Sequence, residues 1–193
     1  MNFLAITGET MKTQKCLLII DMQNGSFTED SRRHDPEGVV ERINALAAGF
    51  RKHEMPVIFI QHNGTKLDEY IPNTHDWEIL PELRVDPQDF IIAKEAHDAF
   101  YNTSLEAKLD ELNVDELFIT GSATDFCIES TVQVALSKDY NIIVVEDGHT
   151  TGDKPHLTAE QIITHYNFIW GNMIPTEGKI ELKKSEAVIA SLG

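Results

Sequence analysis

Cysteine is scarce in this chain: only Cys16 and Cys127 occur in 193 residues. Two cannot build a disulfide framework, and a reducing intracellular compartment, the cytoplasm, is the expected home. Positive charge is scarce too, with 16 Lys and Arg against 32 Asp and Glu, a formal charge of −16. No basic cluster could neutralise a phosphate backbone, so nucleic acid is not expected as a partner. An apolar run of about twenty residues, the length that crosses a bilayer, is missing, and no membrane partner is expected. Residues 1–15 mix Asn2, Thr7, Glu9, Thr10, Lys12 and Gln14 with few apolar ones, unlike a secretion signal. The turn after the first apolar run reads Asp21-Met22-Gln23-Asn24-Gly25 and lacks the spaced glycines of a dinucleotide-binding turn. No internal repeat or linker interrupts the chain. The surplus of acid names no substrate, because like charge keeps a protein in solution whatever its task.

What is present is an ordinary globular composition, 41% hydrophobic and 25% charged, sized for one domain with its own core. Short continuous apolar runs recur at 16–20, 57–60, 90–92, 117–120 and 142–145, as in strands buried on both faces. Helical patterns lie between them at 39–52, 104–112 and 125–138, the last with Ile128, Val132, Ala135 and Leu136 on one stripe. Residues 158–170 read as a further helix, 179–182 as a last strand, and Ser185 as the cap of a short closing helix. The alternation predicts an α/β fold: one doubly wound parallel sheet of about six strands with helices on both faces. The polar, proline-containing stretch 62–89 has no period and reads as a long excursion over the sheet, the kind of loop that lines sites.

Open parallel sheets bind ligands beyond the carboxyl ends of their strands. Asp21, His62, Lys94, the 121–127 turn, and Asp147 with His149 each follow a predicted strand, so all are expected at one mouth. A thiol, an acid and a cation arriving there from separate strands form a possible nucleophile, base and charge partner. Cys127 falls in the first turn of a helix, where the dipole and a nearby lysine favour thiolate. Free amides at the same helix start, those of Ala123 and Cys127, are candidates to receive charge on an attacked carbonyl oxygen. Each residue also has a plainer reading: a small packing thiol, an acid serving its own loop, a solvated lysine. Gln23, Phe27, His62, Trp77, Phe126 and His149 are the candidate substrate-binding residues, with Trp77 and Phe27 suited to stack on a planar group. His53 and His97 read as solvated on helical surfaces, and Cys16 as core.

The segments Leu17-Leu18-Ile19-Ile20-Asp21-Met22-Gln23-Asn24, Ile92-Ala93-Lys94 with Asp98-Ala99-Phe100, and Ile119-Thr120-Gly121-Ser122-Ala123-Thr124-Asp125-Phe126-Cys127-Ile128 resemble the isochorismatase-like cysteine hydrolases. The likeness runs from about residue 16 to 149, more weakly to 170. It implies a catalytic triad of Asp21, Lys94 and Cys127, a cis peptide between Ser122 and Ala123 that turns the Ala123 N–H toward the oxyanion, and a homo-oligomer, dimer or larger. It also implies that the domain begins near Met11, making 1–10 a loose extension. Two departures matter. The metal-binding Asp-x-His pair of family nicotinamidases is replaced by Gln61-His62-Asn63, so no metal and no cofactor are expected, and His62 with His75 would be a thin ligand set. Isochorismatases proper lack the nucleophilic cysteine that is present here. The expected activity is therefore hydrolysis of a small amide, ureido or related C–N acyl compound through a Cys127 thioester, with metal-assisted nicotinamide hydrolysis, or a non-catalytic binding protein on the same fold, as alternatives.

Overall fold

The apolar runs pair as one parallel sheet in the order β3-β2-β1-β4-β5-β6. The computed structural model describes residues 14–64 and 69–193, so the extension expected at 1–10 lies outside the described residues. The strands are β1 (Gln14–Ile20), β2 (Val57–His62), β3 (Phe90–Lys94), β4 (Val114–Ser122), β5 (Asn141–Thr150) and β6 (Ile180–Lys183). The helices are α1 (Pro36–Lys52), α2 (Leu105–Glu111), α3 (Glu129–Ser137), α4 (Ala159–Gly171) and α5 (Ser185–Ala190). Among the described residues no helix is long and apolar enough to cross a membrane.

Successive strand residues face opposite sides, and both sides are covered. Cys16, Leu18 and Ile20 of β1 pack with Leu105 and Leu109 of α2, Val132 and Leu136 of α3, and Trp170 of α4. Leu17 and Ile19 point the other way, into Val39, Ile43, Leu46 and Phe50 of α1 and Val188 of α5. This two-sided burial is why the central strands read as continuous rather than alternating. The outer strand β3 departs from that reading: Ile91 and Ala93 are exposed while Ile92 and Lys94 are buried, because an edge strand is covered on one face only.

Two local expectations need correction. Strand β5 does not end at 145. Its register against β4 shifts after Ile119, and Gly121 and Ser122 then pair with His149 and Thr150, so Asp147 sits inside the strand rather than at its mouth. Ser185 is not the cap of α5; it opens that helix, and its N–H and hydroxyl donate to the Asp147 carboxylate at 2.7 and 3.0 Å. An acid from β5 thus satisfies the helix start in place of a neighbouring side chain. For α4, Thr158 and Gln161 cap each other reciprocally, as the Thr-x-x-Gln spacing requires.

The winding direction reverses between β1 and β4, and a crevice opens beyond the carboxyl ends of these two strands. Gly121 lets them approach. Its φ is +123°, and a Cβ there would stand 2.1 Å from Ile20 O. No other residue type fits that geometry without moving β1.

Candidate active site

Three strand ends deliver three side chains to one point. Asp21, just past β1, has a left-handed φ of 49° that turns its carboxylate toward the crevice. Lys94 ends β3, buried, with its Nζ 2.6 Å from Asp21 Oδ2 and 3.4 Å from Cys127 Sγ. It also donates to Ala96 O at 2.9 Å, a contact that fixes the long side chain under the cleft floor. Cys127 follows β4 in a single π-helical turn, Thr124–Ile128, which runs directly into α3. The Ser122–Ala123 peptide at the entry to this turn is cis.

The electrostatics are those of a sulfur held back. Burial, reinforced by the negative charge of Asp21 and only partly opposed by Lys94, pushes the Cys127 thiol up to about 12. The helix dipole and Lys94 favour thiolate, but burial works the other way and more strongly, favouring the protonated thiol. Asp21 Oδ1 is buried with no hydrogen-bond partner, so a carboxylate lone pair beside that thiol is unoccupied.

Above these residues lies a cleft of about 590 Å³, walled by Ser26, Arg33, Tyr70, His97, Ala123 and Phe126 among others. His97 stands with Nδ1 3.4 Å from Cys127 Sγ and its ring 5.5 Å from that of Phe126. It is exposed, as read from sequence, but it lies in the loop after β3 rather than on a helix, and it touches the sulfur. His62 Nδ1 is 3.4 Å from Lys94 Nζ; burial and then the lysine charge lower the affinity of this ring for a proton, leaving it neutral. Residues 15–165 match the isochorismatase domain model.

The chain belongs to the isochorismatase family.

An isochorismatase family protein of Bacillus subtilis (strain 168), YddQ, itself uncharacterised, is 34% identical over 160 residues, covering 79% of this chain and 88% of its own length. The ureidoacrylate amidohydrolase RutB of Cronobacter sakazakii is 26% identical, covering 72% of this chain and 76% of the relative. Streptothricin hydrolase of Streptomyces noursei is 27% identical over 73% of this chain and 51% of that protein. A crystal structure of a family hydrolase from Chromobacterium violaceum superposes with a TM-score of 0.84 at 26% identity, covering 93% of this chain and 94% of the other. Isochorismatase-family members are hydrolases, including amidohydrolases, and this chain is an enzyme of that kind.

The family site here does not use every residue expected to line it. Of the six substrate-binding candidates, Gln23, His62 and Phe126 border the cleft. Gln23 has no free polar atom: its Nε2 donates to His62 O and Trp77 O, and its Oε1 accepts from the His62 N–H, so it braces the loop after β1 against the end of β2. Phe27 lies outside the cleft, in a separate hollow with Thr28 and Pro36, and its inner edge packs on the α1 side of the core. Trp77 is outside as well; its indole N–H donates to Asn63 Oδ1 at 2.7 Å, pinning the long loop instead of offering a stacking face. His149 is buried beneath the cysteine turn. Asn167 Nδ2 donates to Glu146 O, which aims its Oδ1 at His149 Nε2–H, so Nδ1 is left to accept from the Thr124 hydroxyl. That residue is a strut for the turn, and burial lowers its proton affinity to about 4.

Among the described residues no three ligating side chains converge to hold a metal. His62 turns one nitrogen toward an ammonium group, and His75 is exposed, beside Asn24 and Glu78. This pair does not fit a divalent cation. Arg33, Tyr70 and Ser26, the last two hydrogen-bonded through their hydroxyls at 2.8 Å, were not foreseen as lining residues. His97 carried a signal, since it lies within the Lys94 to Phe100 segment; Arg33 carried none, standing in irregular chain ahead of α1.

Proposed function

We propose that this enzyme hydrolyses a small amide, ureido or related C–N acyl compound through a thioester on Cys127. The observation that carries the reading is the contact of Asp21, Lys94 and Cys127, with Asp21 and Cys127 facing the cleft and Lys94 buried beneath them. Because the resting sulfur is protonated, attack needs a base at the moment it happens. Asp21 takes the thiol proton as sulfur bonds to the carbonyl carbon, and the carbonyl π electrons move onto oxygen. The backbone N–H groups of Ala123 and Cys127 receive that oxyanion. Collapse breaks the C–N bond; the amine leaves with the proton from Asp21, and the thioester remains. Water then takes the amine's place, gives a proton to Asp21 and attacks the thioester. The acid departs, and the proton returns to sulfur. Lys94, ion-paired with Asp21, stabilises negative charge on sulfur through both halves.

The ureidoacrylate amidohydrolase among the relatives supports a C–N bond as target. Metal-assisted nicotinamide hydrolysis has less support, since the donor geometry around His62 and His75 does not fit a cation.

The test is a panel of small amides, ureido acids and cyclic imides assayed for amine or acid release, with Cys127→Ala and Asp21→Asn beside the wild type. Turnover falls at least about a thousandfold in both variants, and mass spectrometry of wild type with a slow substrate finds the acyl group on Cys127. Unchanged turnover in Cys127→Ala ends the proposal.

A further inference from the structure

The charges around the cleft are unevenly matched. Lys94 and Asp21 neutralise each other, and Asp125, nearby, is held by Lys154 at 3.1 Å and by the Thr151 hydroxyl. Arg33 stands apart. It borders the same cleft as Cys127, yet among the described residues it forms no ion pair, and its Nε is buried with no hydrogen-bond partner. Burial works against the charged form of this guanidinium, while the negative groups near it, Tyr70, Asp125 and Cys127 when ionised, work for it. An arginine does not discharge at physiological pH, so its buried Nε–H is a donor left without a protein partner.

The backbone holds the side chain where it is. Arg33 forms an isolated antiparallel bridge with Gly152, and a Cβ at residue 152 would come within 3.4 Å of Arg33 Nη1 and 3.0 Å of Arg32 O. A planar fork of donors in a partly desolvated wall is matched in shape and charge by a carboxylate, which takes two parallel N–H bonds. The acids at the cleft, Glu69 and Glu95, are exposed and therefore strongly screened by solvent, whereas the half-buried guanidinium is screened less.

We infer that Arg33 is a carboxylate-binding residue and that the substrate is an amido or ureido acid, its carboxylate on Arg33 and its scissile carbonyl at Cys127. The placement of the carbonyl rests on the thioester reading above; the anion site does not.

Two reagents of nearly one shape separate the two ideas. Iodoacetate and iodoacetamide both alkylate a thiol irreversibly by displacement of iodide. Their rates at Cys127 are measured by mass spectrometry at pH 8.5 in 0.15 M salt, for wild type, Arg33→Gln and Arg33→Lys, with N-acetylcysteine as reference. The iodoacetate-to-iodoacetamide ratio is expected to be at least fivefold higher for wild type than for N-acetylcysteine. It falls to the reference value or below in Arg33→Gln and lies between in Arg33→Lys. A second readout needs no reactive sulfur: N-carbamoylglycine raises the melting temperature of wild type more than its neutral carboxamide does, and this difference disappears in Arg33→Gln. If Arg33→Gln matches wild type in both readouts, the carboxylate site is wrong, whether or not the protein proves to be a hydrolase. If the ratio behaves as expected and Cys127→Ala still turns over amides, the anion site stands and the thioester fails.

Discussion

At the scale of single residues, position relative to a strand end decided what could be read in advance. Asp21, Lys94 and Cys127 each end or follow an apolar run whose register leaves little freedom, so their meeting was legible in the spacing. His149 also follows such a run, but the strand continues through it, and the imidazole becomes part of the scaffold under the cysteine turn. Its proton affinity gives a measurable consequence. The folded value is about 4 against an ordinary 6.5, so between these the unfolded chain binds the proton that the folded chain refuses. Stability attributable to His149 is therefore whole above pH 6.5 and is lost as pH falls toward 4, in total about 3 kcal/mol and about 2 kcal/mol between pH 7 and 4.5. Urea denaturation at those two pH values checks it: His149→Asn, which cannot titrate, is expected to lose less stability than wild type across the interval by that amount. Equal losses would mean that the imidazole is protonated in the folded protein.

Among the secondary-structure elements, the long amphipathic helices and central strands were predictable because burial on one stripe, or on two faces, writes itself into composition. The irregular pieces were not. A π-helical turn looks like the start of an ordinary helix, and the register shift in β5 leaves no periodic trace, so the pattern of residues does not reveal that Asp147 lies inside the strand. The contact between β1 and β4 is the junction on which the cleft depends, and Gly121 is its tightest point. Gly121→Ala puts a methyl 2.1 Å from Ile20 O at a φ of +123°. The variant should lose about 3 kcal/mol or more in chemical denaturation, together with catalytic rate, because relief of the clash drives Asp21 and Cys127 apart. A variant as stable as wild type would show that β1 yields without cost.

For the molecule as a whole, the balance of 16 cations against 32 anions gives a net negative charge that works against the approach of anions. An acidic substrate of the kind inferred above would need a local cation to approach against that field, and half-buried Arg33 at the cleft wall would supply it. Whole-molecule association is the property least written in the order of residues, since a patch that meets a second copy looks like any other exposed apolar surface. Phe168 and Ile174, 66% and 96% exposed, lie on and just past α4, and Ile91 is exposed on the edge strand. Surfaces of this kind, and the resemblance to an oligomeric family, lead us to expect a homo-oligomer. Light scattering on the eluted protein should give at least twice the 21.8 kDa of one chain; a mass of one chain at micromolar concentration rules the assembly out.

The high proton affinity of the reactive sulfur also bears on how the molecule survives between encounters. Peroxides and disulfides are attacked by the thiolate and react far more slowly with the neutral thiol. The unliganded protein is therefore expected to lose its thiol to such oxidants more slowly than an exposed cysteine does.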